Sequence, residues 1–156
     1  MGNLIVVGIS DMKIASGDDM LITYALGSCV GTCLYDSTAK IIGLSHILLS
    51  DSGICPNDSN IYKFADTAIK ELVRQMKAKG ANQYRLHAKI AGGAQMFANS
   101  NRIGDKNIKA VIDELNKLGI KIVAHDVGEN YGRTMTCHAK DGHVEINAIS
   151  KGKKAL

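Results

Sequence analysis

Residues 20–49, MLITYALGSCVGTCLYDSTAKIIGLSHILL, contain three short apolar runs that follow one another closely. The runs cover 20–26, 28–35 and 41–49, and each has the length and composition of a strand. Gly27 separates the first two runs, and a turn that begins at Asp36 separates the last two. The stretch therefore predicts three consecutive strands, of which the second and third form an antiparallel hairpin.

The length of this hairpin turn decides which side chains lie opposite each other. We expect a two-residue turn at Ser37 and Thr38, which places Cys29 directly opposite His46. Directly opposed residues in an antiparallel pair have Cβ atoms about 5 Å apart, so the imidazole is expected to reach the thiol. A longer loop or a bulge would make the two residues diagonal neighbours, which are still within reach.

The rest of the chain adds two helices and further strands. Apolar residues at helical spacing predict helices over 61–79 and 105–118, closed by Gly80 and Gly119. Other short apolar runs predict strands over 4–8, 84–91, 121–126, 134–137 and 143–149, the last two joined by a turn at 140–142. We therefore expect one α+β domain over 1–156. Its predicted architecture is a layered α/β sandwich with mainly antiparallel strands and two principal helices.

Composition and charge exclude several classes of function. The net charge of the 156 residues is only +4, and the chain has no Trp and two Phe, so we expect no nucleic-acid surface. No apolar run reaches the roughly 18 residues of a membrane helix, so no direct membrane insertion is expected. The N-terminus lacks the basic start of a signal peptide, which favours a cytoplasmic protein. The lysine-rich tail, 151–154, is expected to be solvated and frayed.

The cysteines and histidines do not have the spacing of a disulfide scaffold or of a metal site. Four cysteines are present, and without a signal peptide they are expected to be reduced thiols. A zinc site would usually show two ligand pairs at short spacing, and no second pair is found here. The residues concerned are Cys29, Cys33, Cys55, Cys137, His87, His125, His138 and His143. We therefore predict no metal site and no cofactor.

The strand–turn–strand segment around Cys29 has the residue types of a nucleophilic site. A thiolate is a nucleophile, and a neighbouring imidazole such as that of His46 serves as its base. Gly27 permits a tight turn, so that backbone N–H groups near Ser28 and Cys29 can face a developing oxyanion. The base also needs an orienting partner, and the hydroxyl or the carbonyl of Thr23 is the candidate acceptor for the second imidazole N–H.

A purely structural interpretation of the same residues also exists. A cysteine in an apolar segment usually belongs to the core, and a single histidine is usually satisfied by hydrogen bonds. Cys33 lies on the same predicted strand face as Cys29 but farther from Gly27, so core packing is its better assignment. The predicted proximity of Cys29 and His46 favours chemistry for that pair.

Several motifs, taken in order, resemble those of one known family. They are TYALGSCV at 23–30, LSHILL at 44–49, YKFADTA at 62–68, KIAGGAQMF at 89–97, IG and Asn107 within 103–107, and DVG at 126–128 with Arg133. The set closely resembles the CheD family, the chemoreceptor glutamine deamidases of bacterial and archaeal chemotaxis. Departures are confined to flanking positions, for example a short N-terminus before the first strand. Within the motif at 62–68, Phe64 stands where the family usually has Tyr.

The resemblance implies a fold, a reaction and partners. The family fold is an α/β sandwich similar to the catalytic domain of bacterial glutamine-deamidating toxins. The family's Cys-His-Thr triad corresponds here to Cys29, His46 and Thr23, and Gly27 and Ser28 lie where an oxyanion or substrate would be held. The implied partners are the cytoplasmic helices of chemoreceptors and a CheC-type phosphatase. The implied chemistry is conversion of glutamine to glutamate through a thioester, without metal or cofactor, with possible hydrolysis of glutamyl methyl esters.

Two other functions are compatible with these residues. The chain can be a binding module that regulates a CheC-type phosphatase of phosphorylated CheY, with little or no catalysis of its own. It can also be a transglutaminase or a cysteine protease, since both use Cys and His. Those enzymes usually recruit Asp or Asn as the third member, whereas Thr23 has that position here, so this alternative ranks last.

Overall fold

The computed structural model describes residues 2–97 and 101–156. Within these ranges the chain forms ten strands and two α-helices. The strands are β1 (Leu4–Val6), β2 (Met12–Ser16), β3 (Met20–Leu26), β4 (Val30–Asp36), β5 (Ile41–Ile47), β6 (His87–Gly92), β7 (Lys121–Val127), β8 (Arg133–His138), β9 (Val144–Ala148) and β10 (Gly152–Ala155). The helices are α1 (Ala65–Ala78) and α2 (Ile103–Lys117).

The strands form two five-stranded sheets, and both helices pack on one of them. Sheet A has the order β1-β3-β8-β9-β10, and sheet B has the order β2-β5-β4-β6-β7. Only the β1–β3 and β6–β7 pairs are parallel. The predicted α+β sandwich with mainly antiparallel strands and two principal helices is confirmed.

Two apolar cores follow from this three-layer arrangement. One lies between sheets A and B and contains Leu21, Ile42 and Met135. The other lies between sheet B and the helices and contains Leu34 and Leu72. Every residue of β5 is buried, because sheet B is covered on both faces. This burial explains why 41–47 is a nearly continuous apolar run without polar alternation.

The predicted register of the β4–β5 hairpin is wrong by two residues. Asp36 pairs with Ile41 and Gly31 pairs with His46, so the loop has four residues, 37–40, and Cys29 does not lie directly opposite His46. Asp36 Oδ1 accepts the backbone N–H groups of the loop at positions 38 and 39. Lys40 then takes a left-handed conformation, with φ of 54°. The Asp36 side chain therefore stabilises a four-residue turn, which is longer than the two-residue turn predicted at Ser37 and Thr38.

The buried carboxylate of Asp36 also fixes the end of β4 to the segment after α1. Asp36 Oδ2 accepts the N–H of Asn82, and both carboxylate oxygens accept Nε–H of Arg85. Burial raises the pKa of Asp36, but the hydrogen bonds from Arg85, Asn82 and Ala39 outweigh it and hold the pKa at about 2. The carboxylate is thus ionised and satisfied inside the fold.

The first predicted helix begins later than its apolar pattern suggested. The prediction was 61–79, whereas α1 starts at Ala65. Residues before it pair with the chain after β5: Leu49 forms a parallel bridge with Phe64, and the Ala65 N–H donates to the Leu49 carbonyl. The backbone of this segment is used for strand-like pairing, so it does not continue the helix. The second helix, predicted at 105–118, starts two residues earlier, at Ile103.

Two short strands were not predicted. β2 pairs with β5 at one edge of sheet B, and β10 pairs with β9 at one edge of sheet A. The expectation of a frayed tail is therefore wrong, since β10 contains Lys153 and Lys154 and Lys154 Nζ bonds Asp126 at 3.1 Å. Backbone pairing with an existing edge strand does not need an apolar pattern. No helix in the described part of the chain is long and apolar enough to cross a membrane.

Candidate active site

A hydrogen bond between the two sheets joins Thr23 and His46. Thr23 lies on β3 of sheet A and His46 on β5 of sheet B, and Thr23 Oγ1 is 2.7 Å from His46 Nδ1. Both side chains are fully buried. The cross-strand partner of His46 is Gly31, where an added Cβ would lie 2.8 Å from the sulfur of Met135. A glycine at this position leaves room for the side chains of Met135 and Leu26 between the sheets.

The direction of this hydrogen bond follows from a third group, the backbone carbonyl of Val7. Thr23 Oγ1 is 2.7 Å from the Val7 oxygen, which can only accept. The hydroxyl has one proton and donates it to Val7, so it accepts from Nδ1–H of His46. The neutral imidazole is therefore protonated at Nδ1, and Nε2 carries the free lone pair. The hydroxyl of Thr23, rather than its carbonyl, orients the ring.

Nε2 of His46 is available as a base. It is buried and has no hydrogen-bond partner among the residues that the structure describes, Cys29 included. Burial lowers the pKa of His46 from 6.5 to about 4. The ring is therefore neutral at physiological pH, with its unshared lone pair directed away from Thr23.

Cys29 lies at the entrance to β4, in the same layer between the sheets. It precedes Gly31, the partner of His46, by two residues, which makes it a diagonal neighbour of the histidine. Its side chain belongs to the core between the sheets and is 6% exposed. Burial raises the pKa of the Cys29 thiol from 9.0 to about 11, although a hydrogen bond from its own backbone N–H lowers the pKa. The resting site thus pairs a neutral thiol with a neutral imidazole.

A β-bulge in β3 shapes the loop that carries Cys29. The β3–β8 register shifts between Thr23 and Leu26, and Ala25 has a φ of 59°. A bulge of this kind bends the strand and redirects the chain after it. The Gly27 N–H donates to the Ala25 carbonyl at 3.0 Å and is thereby occupied. Of the expected oxyanion donors, the N–H groups of Ser28 and Cys29 donate to no carbonyl within the described part of the chain.

Asn107 on α2 holds this loop against the end of β5. Its side-chain NH₂ donates to the Ser28 carbonyl and to the Leu48 carbonyl, both at 2.9 Å, and the residue is 1% exposed. One amide thus joins the cysteine loop to the strand that carries His46. Asn107 has no role that the sequence alone predicts, and its place in the motif at 103–107 was the only signal that singled it out.

The segment 92–94 holds the other side of the loop. The Gly93 N–H donates to the Cys29 carbonyl and the Ala94 N–H donates to the Gly27 carbonyl, each at 2.8 Å. Gly92 has a φ of 104°, and an added Cβ would lie 2.2 Å from the Cys29 oxygen. Glycine is therefore required here for close approach of the two backbones. Gly92 and Gly93 therefore line one side of the candidate site as well as turning the chain.

Other residues considered from the sequence have structural positions. Cys33 and Cys137 both lie in the core between the sheets. Arg133 is 2% exposed, and it bonds Asp126 and the carbonyls of Gly128 and Tyr131. It anchors the loop between β7 and β8 and does not lie on the surface.

The arrangement has the parts of a thiol acyl-transfer centre. A thiol, an imidazole with a fixed tautomer and an orienting hydroxyl lie between the sheets. The N–H groups of Ser28 and Cys29, which donate to no carbonyl in the described part of the chain, lie beside the thiol. The structure brings Thr23 and His46 into direct contact. Cys29 lies on the adjacent strand end, without a hydrogen bond to the imidazole. A ring oriented in this way can accept the thiol proton once a substrate brings the two groups together.

Comparisons with known proteins find relatives along the whole chain. The sequence model described as CheD chemotactic sensory transduction matches residues 48–148. A probable chemoreceptor glutamine deamidase CheD of Lachnoclostridium phytofermentans is 45% identical over the full length of both chains. Proteins with the same name from Caldanaerobacter subterraneus subsp. tengcongensis and Syntrophomonas wolfei are 46% and 44% identical, over 96% and 100% of each chain. These full-length similarities include the segment with Thr23, Cys29 and His46, which precedes the matched family model.

Proposed function

This chain belongs to the CheD family, and we propose that it converts glutamine side chains of chemoreceptors to glutamate with Cys29 as the nucleophile. The observation that carries the proposal is the hydrogen-bond chain from His46 through Thr23 to the Val7 carbonyl. These hydrogen bonds leave Nε2 of His46 as a base whose lone pair has a fixed direction, beside the loop that carries Cys29. The probable deamidase function named for the full-length relatives agrees with it.

The first half of the reaction forms a thioester. Nε2 of His46 takes the Sγ proton of Cys29 as the sulfur attacks the carbon of the substrate amide. The N–H groups of Ser28 and Cys29 donate to the oxyanion of the tetrahedral intermediate. The imidazolium then protonates the amide nitrogen, the C–N bond breaks and ammonia leaves. Nδ1–H remains bonded to Thr23, which keeps the ring oriented through both proton transfers.

The second half of the reaction hydrolyses the thioester. Nε2 takes a proton from water, and the resulting hydroxide attacks the thioester carbon. The C–S bond breaks, Cys29 recovers its proton from His46, and the product is glutamate. A neutral amide on the receptor is thereby replaced by a negative charge. A glutamyl methyl ester would form the same thioester, with methanol as the leaving group.

A neutral Cys29 thiol and a neutral His46 imidazole suit an enzyme that acts on a neutral amide. The pKa of about 11 for Cys29 and of about 4 for His46 favours the thiol and imidazole forms before substrate binds. Proton transfer from sulfur to nitrogen is then coupled to attack on the amide carbon. Oxyanion donors and the amide itself replace water around the developing charges.

An exposed apolar surface beside the thiol supports binding of a receptor helix. Met96 packs next to Gly27, with its Cγ 3.2 Å from the position of an added Cβ, and Phe97 is 76% exposed. An amphipathic helix that presents a glutamine can rest its apolar face on these side chains. The same surface suits a CheC-type phosphatase as a second partner, and both partners imply a cytoplasmic location.

The test is ammonia release and mass spectrometry on a purified cytoplasmic fragment of a chemoreceptor. We expect the protein to convert specific glutamines to glutamates, and Cys29→Ala to abolish the conversion while the melting temperature stays close to that of the parent. Cys33→Ala is the matched control, and it should lower stability more than turnover, since Cys33 is fully buried in the core.

The same experiment separates the enzyme from a pure binding module. A binding module would bind the receptor fragment or a CheC-type phosphatase without producing glutamate. Unchanged ammonia release by Cys29→Ala would contradict the mechanism. Binding of the fragment without any conversion by the parent protein would favour the binding module.

A further inference from the structure

The tip of the β8–β9 hairpin brings together two histidines that are separated along the chain. The His138 N–H donates to the His143 carbonyl at 2.9 Å, and the Gly142 N–H donates to the His138 carbonyl at 2.9 Å. The His143 N–H donates to Asp141 Oδ1, also at 2.9 Å. These bonds set His138 directly opposite His143 at the closed end of the hairpin. The two ring centroids are 5.3 Å apart.

Glu145 completes a cluster on the outer face of sheet A. Cys137 and Val144, which pair across the hairpin, are buried, so the alternation of a strand turns His138, His143 and Glu145 outward. Glu145 lies two residues beyond His143 on β9 and is therefore a diagonal neighbour of His138. Thr23 and His46, in contrast, meet between the two sheets.

The ligand atoms of this cluster lie close to the spacing of a zinc site. Glu145 Oε1 is 3.7 Å from His138 Nε2 and 3.6 Å from His143 Nε2, and all three atoms lie within 4.8 Å of one another. Zinc binds nitrogen and carboxylate oxygen at about 2.0–2.2 Å, so ligand atoms of a tetrahedral site are about 3.3–3.6 Å apart. A small contraction of the cluster would satisfy that geometry.

A second observation is the absence of another partner for His138. Its Nε2 atom is inaccessible to solvent and has no hydrogen-bond partner in the described ranges, 2–97 and 101–156. The distances to Glu145 exceed those of hydrogen bonds. Buried polar atoms are normally satisfied, and a cation between the three side chains would satisfy this nitrogen.

We propose that His138, His143 and Glu145 bind one Zn²⁺ ion, with water as the fourth ligand. Two imidazoles and one carboxylate, with water in the fourth position, are a ligand set found in zinc sites. The ion would close the end of the hairpin by linking β8 to β9. The proposal departs from the expectation of no metal site because that expectation considered spacing along the chain, whereas these ligands meet across the hairpin.

The test is zinc binding by the purified full-length chain after treatment with a chelator. Titration against a chromophoric zinc indicator should show one site per chain, and zinc should raise the melting temperature, because it binds the folded state. His138→Gln, His143→Gln and Glu145→Gln should each weaken binding by at least about tenfold. His125→Gln is the matched control: His125 is an exposed histidine on β7, and its loss should leave binding unchanged.

Cobalt provides an independent readout that identifies the ligands. Co²⁺ in this site should lack the thiolate charge-transfer bands that a cysteine ligand would produce. Absence of saturable zinc binding would overturn the proposal. Thiolate bands, or undiminished binding in any of the three variants, would overturn the assignment of these ligands.

Discussion

Thr23 Oγ1 lies 2.7 Å from Nδ1 of His46, and this contact joins the two sheets of the sandwich at the candidate active site. The same hydroxyl donates to the Val7 carbonyl, so a backbone group of the N-terminal segment decides which imidazole nitrogen keeps its lone pair free. The orientation of His46 therefore depends on three elements: the segment after β1, β3 and β5. Burial of all these groups protects the contact from water, which would otherwise compete for it.

The first prediction concerns the Thr23 hydroxyl. Thr23→Ser should keep most of the activity, whereas Thr23→Val should lower kcat by roughly 10²-fold with little change in KM, because a misaligned imidazole acts poorly in the transition state. Valine retains the volume of threonine, so it separates the hydroxyl from packing. Steady-state kinetics on a receptor fragment measure both constants. A fully active Thr23→Val variant would show that the hydroxyl does not orient His46.

The second prediction concerns the ionisation of Cys29. With a pKa of about 11, the thiolate fraction increases about tenfold for each pH unit through the neutral range. Alkylation of Cys29 by iodoacetamide should therefore keep accelerating up to pH 9 without a plateau. Peptide mass spectrometry distinguishes Cys29 from the half-buried Cys55. A plateau in the rate below pH 7 would instead indicate a stable thiolate–imidazolium pair.

The third prediction is a dependence of stability on His46 protonation. Its pKa is about 4 in the folded state and ordinarily 6.5, so between these values the unfolded chain binds a proton that the folded chain does not. The stabilisation is complete above pH 6.5 and is lost as the pH falls towards 4. A difference of about 2.5 pH units corresponds to at most about 3 kcal/mol.

Urea unfolding from pH 7 to pH 4.5 measures this effect. His46→Gln removes the titrating group, so its stability should fall less steeply with decreasing pH than that of the parent. If the unfolding free energies of the parent and of His46→Gln fell in parallel with decreasing pH, His46 would keep an ordinary pKa in the folded state.

The fourth prediction concerns the Asn107 clamp. Asn107→Asp replaces a donor with a carboxylate oxygen that faces the carbonyls of Ser28 and Leu48, so the cysteine loop should be displaced. We expect deamidation to fall by at least about tenfold, since a small misplacement of catalytic groups is costly. Asn116→Asp changes an exposed asparagine on the same helix and should have little effect. Equal activity in the two variants would contradict a positioning role.

The fifth prediction concerns Asp36, which holds the four-residue turn. Asp36→Ala should lower the free energy of unfolding by about 3 kcal/mol or more, because it removes a buried, ion-paired carboxylate and leaves several donors unpaired. Asp113→Ala is the control, since the exposed Asp113–Lys109 pair should contribute less than about 1 kcal/mol. Chemical denaturation measures both. A loss no larger than that of the control would remove Asp36 as the reason for the hairpin register.

The sequence was sufficient for elements whose formation depends on local patterns. The limits of β3 agree with the prediction, and the apolar stripe of α1 from Ala68 to Met76 faces sheet B as a helical period requires. The pairing of β4 with β5 was also predicted, because two adjacent apolar runs with a turn between them have few alternatives. The residue types of the site, a cysteine and a histidine on neighbouring strands with a threonine before them, were recognised for the same reason.

The tertiary structure decided the features that depend on residues far apart in the chain. The hairpin register follows from the hydrogen bonds of Asp36, which extend as far as Arg85. The tautomer of His46 follows from Val7, and the position of the cysteine loop follows from Asn107. No periodicity in a sequence encodes such contacts, because each one requires two sheets or a sheet and a helix to have packed first. The sequence by itself therefore determined most of the strands and the residue types of the candidate site, whereas packing of the layers determined their alignment and orientation.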